Sequence, residues 1–342
     1  MPDLPTRPDL TQLRNQAKEL LRRAKNGDNG AASRIHQFTN RLTLAAAQLT
    51  LAREYGFASW PKLKKEVERR RFLDDGDLGS LIAMLADEPD LAVATMEHWC
   101  DHPLGAAPLN YVAMLRYDTT LGRWRNVAGT GELAEALIHA GAPVDGRPGD
   151  AEPPLITAAS YGDASMVKVL IDSGADVDVA AGLDAGVIPG GTALAHAAVF
   201  GMTDVVDLLA AAGAGVTSIE EAAAAGDITG WLGADTPFER RIRALVMAAD
   251  HQRLGLIDQL ITAGTPVDAT DAAFGRHPLR TAAGNGRPES VQRLLAHGAD
   301  PNLRDPEHGR TPLDWCRLNR ATAANTSGYD QVEQILLPIT QM

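Results

Sequence analysis

Glycine recurs in this chain at an interval of 12 residues, and this interval constrains the fold more than any other feature. It separates the paired glycines of the segments 162–174, 201–213 and 286–298. In each segment an alanine-rich stretch precedes the first glycine, and a pair of aliphatic residues precedes the second. Because glycine tolerates the positive φ angle that ends many helices, the pattern predicts two short helices per unit, each followed by a glycine.

The closing glycine of each unit also opens a recurring phrase. The phrase reads Gly-Ala-Pro-Val-Asp from Gly141, Gly-Ala-Asp-Val-Asp from Gly174, Gly-Thr-Pro-Val-Asp from Gly264 and Gly-Ala-Asp-Pro-Asn from Gly298. With Gly213 included, these glycines advance by 33, 39, 51 and 34 residues. A period in the thirties predicts a solenoid of stacked helix pairs, and the longer steps predict insertions or an incomplete unit.

A third motif precedes the first glycine of each unit. It reads Pro-Pro-Leu-Ile-Thr-Ala-Ala at 153–159, Thr-Ala-Leu-Ala-His-Ala-Ala at 192–198, His-Pro-Leu-Arg-Thr-Ala-Ala at 277–283 and Thr-Pro-Leu-Asp-Trp-Cys at 311–316. The motif resembles the Thr-Pro-Leu-His-x-Ala-Ala signature of ankyrin-repeat proteins, and the resemblance covers roughly residues 74 to 338. It implies an all-α ankyrin-repeat solenoid of helix pairs joined by short hairpin loops, in which aliphatic pairs of the second helices form the core.

The N-terminal part of the chain differs from the repeats in charge and in pattern. Residues 1–71 hold 15 Lys and Arg against 7 Asp and Glu, whereas the remainder holds 17 against 37. Helical periodicity predicts helices over 10–25, 29–38 and 42–55 and a fourth that begins after Ser59 as N-cap. We therefore assign residues 1–72 to a basic helical segment that caps the array, and residues 73–342 to the solenoid.

Three irregularities interrupt the repeats. An apolar, glycine-rich insertion near 179–191 predicts a mobile flap, the segment near 217–237 contains only one full helix, and residues 309–338 form a C-terminal capping repeat with its own insertion. Gln252 stands where three other repeats have glycine. If Gln252 adopts the left-handed conformation, it costs about 1 kcal/mol.

The resemblance implies a binding surface on the concave side, at the two positions after each Ala-Ala pair. The matching residues are Ser160, Tyr161, Val199, Phe200, Asp250, His251 and Asn285, with His196 one step before its pair. The irregular first repeats add Tyr111, Arg116, Tyr117 and Trp124. Exposed aromatic and arginine side chains are frequent interface anchors, so these residues are candidates for partner binding. The alternative is that each folds over the adjacent repeat as ordinary packing.

We expect a non-catalytic protein–protein interaction module, a bacterial cytoplasmic scaffold with an unidentified protein partner and no cofactor. One alternative is an enzyme or small-molecule binder that uses the same groove under the 179–191 flap. The other is a DNA-associated regulator that uses Lys62, Lys64 and Lys65 of the basic segment. A nucleic-acid partner is not expected, because Trp60 and Pro61 stand where a recognition helix needs polar base readers.

Metal and membrane signals are weak in this sequence. His98, Cys100 and His102 lie within five residues, but their alternate spacing matches no common zinc pattern, so we expect no metal site. Cys100 and Cys316 are too far apart in a solenoid to form a disulfide, which is consistent with the cytoplasm. The chain has no apolar run of about 18 residues, so no membrane association is expected. The N-terminus lacks the form of a signal peptide.

Overall fold

The computed structural model describes residues 4–5, 7–96, 106–118, 121–147, 150, 152–183, 188–233, 235–272 and 275–341. Within these residues lie eighteen α-helices, one 3-10 helix and a two-stranded hairpin, which confirms the predicted all-α class. The chain divides into two compact units. The first comprises Met1–Val112 and Glu135–Ala142, and the second comprises Ala113–Ala134 and Pro143–Met342.

The observed ends of the helices in the basic segment differ from the predicted ends by at most two residues. These helices are α1 (Leu10–Lys25), α2 (Asn29–His36), α3 (Leu44–Glu54) and α4 (Trp60–Asp75), and they are followed by α5 (Leu78–Asp87) and the 3-10 helix Pro89–Ala92. The N-cap side chains of these α-helices are Asp9, Asp28, Thr43, Ser59 and Asp77, and each accepts a backbone N–H from the first turn of its helix. Helix α4 continues through the boundary predicted at residue 72.

The core of the first unit consists of small and aliphatic residues from α1 to α4. Ala17, Leu20 and Ile35 belong to one buried cluster, and Leu63 belongs to a second against which Trp60 packs. Because Trp60 belongs to this core, it is not displayed as a surface reader.

Several of the basic side chains of α4 are used inside the first unit. Glu66 lies between Arg69 and Arg70, and both guanidinium groups are about 1% exposed. Arg69 also donates to the carbonyl oxygens of Leu91 and Ala94, at 2.7 and 2.9 Å. Part of the positive charge of the segment is therefore internal.

The rest of the chain forms successive helix pairs. In chain order the elements are α6 (Pro108–Met114), β1 (Tyr117–Asp118), β2 (Arg123–Trp124), α7 (Thr130–His139), α8 (Pro154–Ser160), α9 (Ala164–Asp172), α10 (Ala193–Val199), α11 (Thr203–Ala211), α12 (Ile219–Ala225), α13 (Phe238–Asp250), α14 (Leu254–Thr262), α15 (Pro278–Gly284), α16 (Pro288–Ala296), α17 (Pro312–Arg320) and α18 (Ser327–Leu336). The predicted solenoid of helix pairs is confirmed.

A leucine at one fixed position in the first helix of each full pair anchors the core of the second unit. These residues are Leu155, Leu194, Leu245, Leu279 and Leu313, and none is more than 2% exposed. Complete burial of such a side chain stabilises the fold by about 2 kcal/mol. Three of the five helices that carry them begin with side-chain caps, at Thr192, His277 and Thr311.

The aspartate that ends the recurring Gly-Ala-x-Val-Asp phrase links successive hairpin loops. The carboxylate of Asp145 accepts the backbone N–H of Asp176 at 2.9 Å, and that of Asp178 accepts the N–H of Gly215 at 2.7 Å. Asp268 accepts the N–H of Asp300 in the same way, at 3.1 Å. The phrase therefore supplies a hydrogen bond between neighbouring repeats.

Part of the irregular segment near 217–237 can be described. Between α12 and α13, residues 226–233 and 235–237 contain no second helix, so the unit of α12 is incomplete. Helix α13 begins at Phe238, about two turns before its core residue Leu245. Gln252 has a φ of 55°, which confirms the left-handed conformation considered for it.

Candidate functional site

The predicted binding residues around Trp124 pack against one another. Tyr117 and Trp124 are paired in the β1–β2 hairpin with ring centroids 5.2 Å apart, and Trp124 meets Tyr161 edge-on at 6.0 Å. The backbone N–H of Trp124 donates to the carbonyl oxygen of Thr322 at 2.8 Å. Arg116 donates to the carbonyl oxygen of Gly162. These side chains therefore hold the hairpin against the turns of other repeats.

His251 is 1% exposed and both of its ring nitrogens are engaged. Nε2 lies 2.9 Å from the carbonyl oxygen of Ala198, and Nδ1 lies 3.1 Å from Oγ1 of Thr203. A neutral ring with the proton on Nε2 satisfies both contacts. Burial lowers the pKa of His251, and the nearby charge of Asp250 opposes this shift only in part. His251 therefore joins its own turn to the turn after α10.

Asp250 is also fully buried, at a point where three turns meet. Its Oδ1 accepts a hydrogen bond from Nδ2 of Asn285 at 2.7 Å and lies 3.7 Å from Nε of Arg287. A Cβ added to Gly201, which has a φ of 70°, would lie 2.9 Å from the same Asp250 oxygen. Glycine at 201 thus permits the close approach of the Asp250 carboxylate.

His196 fixes the 179–191 insertion to the repeats. It is 1% exposed, its Nδ1 lies 2.8 Å from Oγ of Ser160, and its Nε2 lies 3.3 Å from the carbonyl oxygen of Ile188. Its ring also packs against Phe200 with centroids 6.2 Å apart. Burial lowers the pKa of His196, so the ring is neutral and acts as an anchor for the insertion.

The burial of four predicted binding residues corrects the expectation that they are displayed to a partner. Besides Asp250, His251 and His196, Tyr111 is 1% exposed and donates its hydroxyl to Asp74 at 2.5 Å. Their side chains satisfy polar atoms of neighbouring turns or helices, which is the packing alternative. The other predicted residues are half-buried and stay predictions: Arg116, Tyr117, Trp124, Ser160, Tyr161, Val199, Phe200 and Asn285.

A cavity of about 190 Å³ lies beside the incomplete unit, and we call it the α12 cavity. It is bounded by α10, α12, α13 and the residues Asp271 and Arg276. Its apolar lining consists of Ala195, Ala198, Val199, Val246 and Met247. Its polar lining consists of Ser218, Glu220, Glu221, Arg243, Asp271 and Arg276.

Two of the polar residues, Glu220 and Arg243, form an ion pair in the cavity wall. Glu220 follows Ile219, which is 1% exposed and lies three residues before the Ala222-Ala223 pair, as the buried leucine of a full pair lies before its own alanines. Arg243 occupies the position of the capping Thr192, and it needs no cap because α13 extends past it. Glu220 Oε1 and Arg243 Nε lie 2.7 Å apart.

Glu221 adds a buried carboxylate to the cavity wall. It is 6% exposed and accepts hydrogen bonds from the backbone N–H and the hydroxyl of Thr217, at 2.7 and 3.0 Å. Asp271 accepts the backbone N–H of Arg276 at 3.1 Å. With three carboxylates and two guanidinium groups, the lining carries one excess negative charge.

Of the residues that line the α12 cavity, the sequence prediction named only Val199 as a binding residue. Glu220 and Glu221 were read as part of a helix and not as a site. Comparison of repeat positions does not single them out, because Ile219 and not a glutamate holds the buried aliphatic position of α12. The partner Arg243 could not be found in this way, since its proximity depends on the length of α13.

No group of three or more His, Cys, Asp or Glu side chains that could hold a metal ion occurs among the residues the structure describes. The His98–Cys100–His102 cluster lies outside those residues. In the described part of the chain, no helix is both long enough and apolar enough to cross a bilayer.

Comparison with known proteins identifies similar chains. The family model for ankyrin repeats, in three copies, matches residues 126–219 and 245–326. The E3 ubiquitin-protein ligase KEG of Arabidopsis thaliana is 29% identical over 238 residues, which make up 61% of this chain and 14% of that protein. The ankyrin repeat and KH domain-containing protein mask-1 of Caenorhabditis elegans is 32% identical over 201 residues, or 55% of this chain and 7% of that protein.

Among solved structures, the human ASB11 ankyrin repeat domain aligns with a TM-score of 0.38 and 20% identity, covering 80% of this chain and 97% of that one. The chain spans only a small fraction of the length of the two curated relatives.

Proposed function

Since the chain belongs to the ankyrin-repeat family, whose repeats are general protein-interaction modules, we propose that it binds a partner protein through the groove that contains the α12 cavity. Solenoid repeats present extended concave surfaces to their partners. The groove surface consists here of α10, α12, the second half of α13 and the residues Asp271 and Arg276. No catalytic step is part of this proposal.

The observation that carries the proposal is the cavity beside the incomplete unit of α12. The described residues 226–233 and 235–237 form no second helix for this unit, and a recess bounded by Val199, Val246 and Met247 lies beside it. Interfaces commonly combine an apolar centre with a few fixed polar groups. Rigid repeats also hold these groups in place before binding, so little conformational entropy is lost when the partner binds.

The two alternative functions have less support. Small-molecule sites usually measure about 300–1,000 Å³, and the α12 cavity measures about 190 Å³. In the basic segment, Lys65 pairs with Glu88, and Arg69 and Arg70 are buried beside Glu66, which removes charge from the surface that DNA would need. The proposal includes a cytoplasmic location, where a free buried thiol such as Cys316 stays reduced.

A capture experiment with two matched variants tests the proposal. Val199→Arg fills the cavity from a half-buried position, and Gln292→Arg adds the same side chain to the exposed face of α16. Proteins captured from host lysate by the wild type and both variants are identified by mass spectrometry, after circular dichroism has shown that both variants fold. Captured proteins are then purified, and their Kd values are measured directly.

We expect at least one protein that binds the wild type and Gln292→Arg equally and binds Val199→Arg at least about tenfold more weakly, because an interface anchor is worth more than about 1 kcal/mol. If every captured protein binds Val199→Arg as tightly as the wild type, the groove is not the recognition surface.

A further inference from the structure

The geometry of the α12 cavity points to its occupant: we infer that it receives one arginine or lysine side chain of the partner protein. This inference rests on the proposed function, because it specifies which part of a partner enters the groove. It is carried by the size of the cavity, by its apolar walls and by the charge of its lining.

The volume of the cavity and its apolar walls limit the occupant to a single side chain with an apolar stem. A volume of about 190 Å³ is below the range of sites that enclose whole small molecules. Val199 lies on α10, and Val246 and Met247 lie on α13, so apolar surface borders the cavity from two helices. Arginine and lysine bury their methylene stems against such surfaces while the charged head reaches polar groups.

The charge of the lining requires a cation. Arg243 is paired with Glu220, whereas Glu221 is buried and is held by the neutral donors of Thr217. The lining as a whole therefore has one carboxylate more than it has guanidinium groups. A partner cation that enters the cavity would supply a counterion, and charge-assisted hydrogen bonds are about twice as strong as neutral ones.

An unused acceptor in the wall supports the same conclusion. Oε2 of Glu220 is shielded from solvent and accepts no hydrogen bond from any residue that the structure describes. Buried polar atoms normally have a hydrogen-bond partner. The last torsion of a glutamate side chain is broad, so this oxygen can turn toward a donor in the cavity. An aspartate, glutamate or phenylalanine side chain would offer no such donor.

The charge of the whole array favours a basic partner as well. From residue 72 onward the chain holds 17 Lys and Arg against 37 Asp and Glu. An acidic surface raises the encounter rate of a basic segment and disfavours an acidic one.

Binding of single-residue probes tests the inference on the full chain. The probe is N-acetyl-arginine N-methylamide, and its neutral isostere, N-acetyl-citrulline N-methylamide, is the control. Methyl-labelled methionine reports on binding through the NMR signal of Met247, which lines the cavity. Glu221→Gln keeps the shape of the side chain and removes its charge, and Glu239→Gln removes an exposed charge on the same helix as Met247.

We expect the arginine probe to shift the Met247 signal and the citrulline probe to bind about tenfold more weakly, as the loss of one charge-assisted hydrogen bond implies. Glu221→Gln should weaken arginine binding by a similar factor, and Glu239→Gln should leave it unchanged. Equal binding of the two probes, or no shift of Met247, overturns the inference.

The capture experiment separates this result from the proposed function. If Val199→Arg abolishes capture while the two probes bind equally, the groove binds a protein but not through a basic side chain. If capture does not depend on Val199, the proposed function fails, whatever the probes do.

Discussion

Trp124 donates its backbone N–H to the carbonyl oxygen of Thr322 at 2.8 Å, which joins the β1–β2 hairpin to the turn after α17. Contacts between non-adjacent turns recur elsewhere in the second unit. His251 reaches the carbonyl oxygen of Ala198, and Arg287 donates to that of Gly201. The turns of this unit therefore form a connected network in addition to the stacking of neighbouring helices.

Replacing Trp124 should weaken this network. Trp124→Ala removes edge contacts to two tyrosine rings, each worth about 1 kcal/mol beyond the buried area, so we expect the free energy of unfolding to fall by about 2 kcal/mol. Urea denaturation measures this change. Leu121→Ala, at a site 58% exposed near the tip of the same hairpin, is the control and should change stability by less than about 0.5 kcal/mol. Equal effects of the two substitutions would contradict the role of Trp124.

Replacing Gln252 should stabilise the protein. Gln252 has a φ of 55°, and its side-chain Oε1 is buried without a partner among the described residues. Gln252→Gly relieves the backbone strain and removes the unsatisfied oxygen, but it also adds flexibility to the unfolded chain. We expect the free energy of unfolding to rise by about 1 kcal/mol. Thermal and urea unfolding measure it.

Gly213→Ala is the reciprocal control for Gln252→Gly. Gly213 has a φ of 85°, and an added Cβ would meet nothing within 4 Å, so only strain changes. We expect Gly213→Ala to lower the free energy of unfolding by about 1 kcal/mol. If Gln252→Gly also destabilises the protein, backbone strain at residue 252 does not determine the effect of this substitution on stability.

Acid should destabilise the fold through its buried histidines. Burial lowers the pKa of His277 from its ordinary value of 6.5 to about 4, and Nδ1 of His277 must stay unprotonated to cap α15 by accepting the N–H of Arg280. The unfolded chain therefore binds a proton below pH 6.5 that the folded chain binds only near pH 4. Stability should fall across this window, by about 2 kcal/mol at pH 5 from His277 alone.

His277→Thr tests the source of this pH dependence, because threonine caps the equivalent helices at Thr192 and Thr311. Burial also lowers the pKa of His196 and His251. The variant should therefore keep the part of the pH dependence of stability that these two histidines cause, and lose the part that His277 causes. Urea denaturation between pH 7 and pH 5 measures both proteins. Identical curves would contradict the assignment to His277.

Removing the anchor of the 179–191 insertion should loosen that segment. His196→Leu fills the same space but loses the contact to the carbonyl oxygen of Ile188 and the hydrogen bond to Ser160. We expect faster hydrogen exchange at the amide of Ala181, which donates to Gly191 within the insertion, and a stability loss of about 1–2 kcal/mol. Phe200→Leu, next to the anchor, is the control and should leave that exchange rate unchanged. An unchanged rate in His196→Leu would refute the anchoring role.

The periodic features of this fold could be predicted from the sequence, because each depends on residues a few positions apart. Helix ends at glycine, caps such as Ser59 and the core pairs of the second helices are local signals. The burial of His251 and Asp250 was missed, because it depends on contacts with residues tens of positions away, such as Ala198, Thr203 and Asn285. Glu220 could not be found by comparing the repeats, because Ile219 holds the buried aliphatic position of α12 and the partner of Glu220 is Arg243, in the next helix.

Hydrogen exchange of the complex with the captured partner tests the central claim most directly. The account predicts that binding slows exchange at amides of α12, of α10 near Val199 and of α13 near Met247, and leaves the exposed outer helix α16 unchanged. Slower exchange confined to α16 or to the β1–β2 hairpin, with the α12 cavity unaffected, would contradict the claim that this groove recognises the partner.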